Sequence, residues 1–164
     1  MNDTGQYRDG SALAFEAAFF RLQAAIDGAC RIERIGAPAP DWPAQAAAAI
    51  RAAFEWAAAN PEAANLLTNK ALGEGPGGIA RYHRLVAFLA GLLREGREER
   101  GEAPDLPSIT ERALAGGLAS LVAQRLDQGR EDELPALAPE AIQFALTPYL
   151  GAEEARLAAA PPDA

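Results

Sequence analysis

The chain has 164 residues, 49% hydrophobic and 23% charged, as is typical of one globular domain with a substantial core. Its 23 acidic and 15 basic residues give a net charge of −8, which argues against this chain alone binding the phosphate backbone of a nucleic acid. No apolar run approaches the roughly 18 residues that cross a bilayer, and residues 1–6 are too polar for a secretory signal. The single cysteine, Cys30, allows no internal disulfide and favours a reducing, cytoplasmic location.

Residue spacing typical of helices dominates the chain, and the alternation typical of strands is nearly absent. The first predicted helix spans residues 11–33, and residues 36–40 form a loop of glycine, alanine and proline. Asp41 is then the expected cap of a second helix. The Asn60-Pro61 pair starts a short third helix that ends near residue 73.

Residues 73–78 are rich in glycine and predict a flexible loop. A phosphate-binding loop is the alternative, but the segment lacks the Gly-Lys-Ser/Thr ending that such loops need. A fourth helix is expected over residues 78–100. Ser108 and Glu111 have the spacing of a capping box, which places the start of a fifth helix at residue 108.

The fifth helix is expected to reach residue 128, and a tight segment with a proline follows at residues 134–138. A sixth helix is expected over residues 139–150, Gly151 ends it, and residues 153–159 add a short helix. The sequence therefore predicts an all-α fold, a bundle of about six to seven helices.

Catalytic chemistry has little support in the residues. His83 is the only histidine, and no serine or cysteine nucleophile lies in a recognisable motif. A metal site needs several clustered ligands, and the histidine and cysteine set is too small for one. We therefore predict no enzymatic activity, no cofactor and no metal, and a small helical enzyme is the weakest hypothesis for this chain.

Two patterns leave alternatives open. Aromatic residues on several predicted helices either fill the core, which composition favours, or surround an apolar pocket. The fifth helix carries small residues on one side, with Gly116 and Gly117 at its centre. Each mid-helix glycine costs roughly 1 kcal/mol relative to alanine, so another helix, of the same chain or of a second subunit, is expected to approach closely there.

Three segments together resemble the C-terminal ligand-binding and dimerisation domain of the TetR family of transcriptional regulators. The first is residues 42–67 with the Asn60-Pro61 junction, and the second is residues 113–126 followed by residues 129–135. The third is residues 138–151 with its Pro-Tyr-Leu-Gly ending. The resemblance covers residues 11–157, and the order and spacing of these motifs carry it.

This resemblance implies a ligand pocket inside the bundle and a homodimer in which the last two long helices pair with their copies in a four-helix arrangement. The pocket-lining candidates are Phe15, Phe19, Phe54, Tyr82, His83, Val86 and Leu118. The candidates for the dimer interface are Gly117, Leu121, Arg125, Ile142, Gln143, Leu146 and Tyr149.

The sequence departs from the family at its start, where a helix-turn-helix normally precedes this domain. Residues 1–10 resemble the remnant of that connection, residues 11–157 form the ligand-binding and dimerisation domain, and residues 158–164 form a flexible tail. We expect the chain to bind an unidentified small apolar or amphipathic effector and to pair, with no DNA or membrane binding of its own. The alternative is an interaction protein that forms heterodimers with a full-length TetR-type regulator.

Overall fold

A computed structural model describes residues 3–36, 41–99 and 106–160, and every regular element in these ranges is helical, which confirms the all-α prediction. The longer helices are α1 (Asp3–Gly36), α2 (Trp42–Ala59), α5 (Gly75–Glu99), α6 (Thr110–Asp127), α7 (Leu134–Leu150) and α8 (Ala152–Ala159). Between α2 and α5 lie α3 (Pro61–Asn65), a π-helical turn (Leu66–Lys70) and α4 (Ala71–Gly73), and a 3-10 turn (Glu131–Glu133) precedes α7.

The first two helices differ from the prediction mainly in length. Helix α1 begins at Asp3 instead of residue 11, because no proline interrupts residues 3–10 and a helix tolerates Gly10 at modest cost. Residues 37–40 of the predicted loop lie outside the described residues. Helix α2 begins where expected, although Asp41 accepts through its backbone oxygen from the Gln45 amide at 3.1 Å and its side chain makes no capping bond.

The predicted flexible loop at residues 73–78 is wrong. Only Glu74 separates α4 from α5, and Gly75 has a φ of +74°, which lets the chain turn within one residue. Gly78 is buried so close to α4 that a Cβ there would collide with the carbonyl oxygen of Ala71. These glycines therefore build a tight corner between two helices.

The predicted starts of α6 and α7 are also wrong. Helix α6 begins at Thr110, whose hydroxyl donates to the carbonyl oxygen of Pro107 at 2.8 Å. Its N-cap is Ile109 instead of Ser108, with no side-chain capping bond, and Glu111 is buried, with only 2% of its surface exposed. Helix α7 begins at Leu134, five residues early. Pro135 is tolerated in its first turn, where the missing N–H would have no helical partner.

Helix α2 is central to the bundle, with α1 packed on one side and α7 on the other. A large core cluster joins α2, α6 and α7 around Phe54 and Leu146, and a second joins α1, α2 and α5 around Phe15. A smaller cluster joins α5 to α6 through residues such as Ala90 and Ala115. The region where these clusters meet contains the cavity described next.

Candidate ligand cavity

An apolar cavity of about 70 Å³ lies between α2, α5, α6 and the segment from α3 to the π-helical turn. Leu22 of α1 closes one side of it. Its lining consists of Leu22, Ala46, Ala49, Ile50, Ala53, Phe54, Trp56, Ala57, Ala64, Leu67, Thr68, Leu85, Leu89, Leu92, Leu93, Ala115, Leu118, Ala119 and Val122. The space therefore belongs to the middle of the bundle and draws residues from most of its long helices.

Small side chains create this space. Seven of the lining residues are alanines, four of them on α2 and two on α6. Ala115 and Ala119 lie one turn apart on α6, at the spacing that puts both on one face of a helix, with Leu118 beside them. Leucine, phenylalanine and tryptophan side chains in the same wall keep the helix backbones apart. Because alanine ends at Cβ, the alanines do not fill the space between these backbones, and a gap is left beside them.

The chemistry of the lining is almost wholly apolar. Thr68 is the only lining residue with a polar side chain apart from the indole nitrogen of Trp56. It is 4% exposed, and its hydroxyl donates to the Ala64 carbonyl oxygen at 2.9 Å. The proton of that hydroxyl is thus already used, while the lone pairs of its oxygen can still accept hydrogen bonds. Among the described residues that line the cavity, none has a charged side chain.

The π-helical turn forms part of the cavity wall through Leu67 and Thr68. Next to them, the Asn69 side-chain amide donates to the carbonyl oxygen of Ala123 at 3.0 Å. This hydrogen bond connects the turn to α6. Such turns are rare and occur frequently at functional sites. The sequence gives no local signal for this turn, since its residues continue an ordinary helical pattern.

Two of the seven predicted lining residues, Phe54 and Leu118, lie in the cavity wall. Phe15 and Phe19 are buried between α1 and α5, where Phe19 meets Phe88 edge to face at 5.6 Å between ring centroids. Val86 is buried in the contact of α5 with α6.

The remaining two predicted lining residues also lie away from the cavity wall. Tyr82 is half-buried, and this burial raises the pKa of its phenol. His83 is exposed to solvent. Of the 17 lining residues that were not predicted, seven are alanines and ten are larger residues. In both groups the sequence pattern indicates burial but does not distinguish a cavity from close packing.

The predicted interface residues divide into two groups. Ile142, Leu146 and Tyr149 are buried in the core of the chain, with Tyr149 packed edge to face on Trp42 at 5.2 Å. Side chains enclosed in this way offer no surface to a partner.

The other four interface candidates reach the surface. Gly117 is exposed, while Leu121, Arg125 and Gln143 are partly exposed. Phe144, which was not predicted, lies beside Gly117 and is 54% exposed. Residues of α6 and α7 that reach the surface in this way are available to a partner.

Within the described ranges, no three or more His, Cys, Asp and Glu side chains form a group that could hold a metal ion. Nor does any helix in this part of the chain combine the length and apolar character needed to cross a membrane. Comparisons with family models, curated proteins and solved structures find no match to this chain. The resemblance to the TetR family therefore stays a prediction that rests on the sequence motifs.

Proposed function

We propose that this chain is the ligand-sensing and dimerisation domain of a TetR-type transcriptional regulator and acts in the cytoplasm. The observation that carries the proposal is the apolar cavity lined mainly by α2, α5 and α6. Ligand sites in proteins are concave, mostly apolar and lined with few polar groups, and they occur between the helices of bundles. The helix order and the three sequence motifs support the family assignment.

The glycines of α6 support pairing with a second copy. Nothing in the described chain lies within 4 Å of a Cβ built on Gly116, and Gly117 meets only the Phe144 ring, at an ordinary 3.5 Å. Close packing within the chain therefore does not account for two residues that each cost roughly 1 kcal/mol in a helix. A second copy that packs against this part of α6 would explain why glycine is present at both positions.

The pairing face, defined as Ala113, Gly117, Ser120 and Phe144, consists of exposed residues on α6 and α7. The first three recur at steps of four and three residues, which places them on one side of α6. Their small side chains let another helix approach, and the Phe144 ring supplies an apolar anchor of the kind that dominates interface energies. We propose a two-fold arrangement of α6 and α7 with their copies.

Helix α6 links the two parts of this proposal. Leu118, Ala119 and Val122 line the cavity, while Gly117 and Ser120 point away from it on the opposite side. A ligand that displaces α6 would alter how two copies fit together, which is the requirement for coupling a binding site to an assembly. In a complete regulator, this would bias the spacing of DNA-binding heads. With a net charge of −8, this chain is not expected to bind operator DNA itself.

Sedimentation velocity tests the pairing face. We expect the wild-type chain to sediment as a dimer at micromolar concentration and the Phe144→Asp variant to sediment as a monomer. Phe20→Asp is the matched control, because Phe20 is 71% exposed on α1, away from the pairing face, and this variant should remain dimeric. A monomeric wild-type chain, or equal dissociation of both variants, would remove the support for this arrangement.

A further inference from the structure

We infer that the cavity selects a small, uncharged, apolar molecule, such as a light hydrocarbon, and rejects cations and anions of the same shape. This inference rests on the proposed function, because it takes the cavity as the ligand site. It goes further by naming the chemical class of the ligand, which is narrower than the apolar or amphipathic effectors that the family resemblance allows.

Charge is excluded by the composition of the wall. None of the lining residues carries a charge, and the Thr68 hydroxyl has its proton committed to Ala64. An ion entering the cavity would lose its hydration and find no counter-charge to replace it. A neutral apolar molecule loses no hydrogen bonds on entry, so the same wall favours it.

Hydrogen-bonding groups on the ligand are also restricted. In the described lining, the side-chain hydrogen-bonding groups are the Thr68 oxygen, which can accept, and the Trp56 indole N–H, and no acidic or amide side chain is present. A ligand with several donors or acceptors would leave them unpaired in a buried apolar site, which is costly. We therefore expect ligands with several donors or acceptors to bind much more weakly than hydrocarbons of the same size.

Size sets the third limit. The cavity measures about 70 Å³, roughly half of an engineered apolar cavity of about 150 Å³ that stays dry and binds benzene or xenon. Xenon or a hydrocarbon of about three or four carbon atoms matches this space without large changes in the wall. Such small ligands make few contacts, so a dissociation constant on the order of 1 mM is expected.

Methyl NMR of the full chain tests this inference with two probes of nearly equal shape. Isobutane is neutral, and trimethylammonium replaces its central carbon with a charged nitrogen; xenon serves as a third probe. Isobutane and xenon should shift the methyl resonances of Leu67, Leu118 and Val122 and leave those of exposed Leu157 unchanged. Trimethylammonium at ten times the concentration should leave all of them unchanged. Equal shifts with trimethylammonium would overturn the inference.

Two alanine-to-leucine variants locate the binding. Ala53→Leu adds three carbons to the cavity wall, whereas Ala87→Leu makes the same change at an exposed position of α5 outside the cavity. Isobutane should bind at least tenfold more weakly to Ala53→Leu and equally well to Ala87→Leu; an equal loss in both would overturn the site. Should Ala53→Leu fail to fold by circular dichroism, Leu118→Ala replaces it. By enlarging the cavity, this variant should bind toluene at least tenfold more tightly than the wild type, and unchanged toluene binding would overturn the site.

The outcomes separate this inference from the proposed function. If a charged or strongly polar compound shifts the methyl resonances of Leu67 and Leu118 and isobutane does not, the proposed ligand class is refuted. The proposal of a ligand-sensing domain would still stand. Failure of isobutane, xenon and a varied compound library to shift any of these methyls refutes both, since the cavity would then accept no ligand.

Discussion

Replacing Gly78 with alanine should destabilise the fold through a single added carbon. Gly78 begins the second turn of α5 and is buried against α4 at the corner that Glu74 forms. A Cβ at this position would collide with the carbonyl oxygen of Ala71 and would lie 2.8 Å from the Glu74 Cβ and 3.0 Å from the Ala71 carbonyl carbon. Because these are backbone and Cβ atoms, no rotation of a flexible side chain relieves the contact, and α4 and α5 must separate.

The magnitude follows from two opposing terms. Forcing an extra methyl group into a packed site costs about 1–3 kcal/mol, and replacing a helical glycine with alanine returns at most about 1 kcal/mol. Because the colliding atoms are backbone and Cβ atoms, the upper part of the first range applies, about 2–3 kcal/mol. The expected net loss is then about 1–2 kcal/mol, which lowers the melting temperature by about 2–8 °C in a domain of this size. Gly91→Ala in the same helix is the matched control: nothing lies within 4 Å of its Cβ, so it should raise stability by about 0.5–1 kcal/mol.

Urea and thermal unfolding followed by circular dichroism measure both variants. The reasoning predicts opposite signs for Gly78→Ala and Gly91→Ala. If Gly78→Ala is as stable as Gly91→Ala, the corner at Glu74 is looser than described, and the account of residues 73–78 as a tight helix corner fails.

Three further variants test the cavity wall and its surroundings. Leu118→Ala should cost about 2–5 kcal/mol in urea unfolding, whereas Leu157→Ala, at a 59% exposed position, should cost less than about 0.5 kcal/mol; equal losses would place Leu118 outside the core. Asn69→Ala should cost about 1 kcal/mol, because the Ala123 carbonyl oxygen loses its donor, and unchanged stability would remove this link between the π-helical turn and α6. Burial raises the pKa of Tyr82 above 10.0, so its contribution is fully present below pH 10 and is lost as pH rises through the folded-state pKa. Tyr82→Phe should therefore flatten the alkaline loss of stability in unfolding measured from pH 8 to 11, and an unchanged alkaline slope would assign that loss to other groups.

Much of the fold follows from hydrophobic spacing alone. Phe15, Phe19, Leu22 and Ile26 recur at helical steps, and all four are buried along α1. The errors arose where a local signal competed with packing. Ser108 and Glu111 match a capping box, yet α6 has Ile109 at its N-cap position without a side-chain capping bond, and the Glu111 side chain is buried.

The cavity was far less predictable than the helices. Large residues such as Phe54 and Leu118 stand out in a sequence, and both line the cavity. The space itself depends on alanines such as Ala53 and Ala119, whose role appears only when the distance between helix backbones is known. In α7, Leu146 was predicted to lie in the interface because core and interface residues are both apolar in a sequence. In the structure it is buried by its own chain.

A crystal structure determined under xenon pressure would test the central claim most directly, since the claim places a ligand on one side of α6 and a second copy on the other. The account predicts xenon density between Phe54, Leu67 and Leu118, in two copies related by a two-fold axis and packed through Gly117 and Phe144. A core without xenon, closed by repacked side chains, together with Phe144 left in solvent, would contradict it.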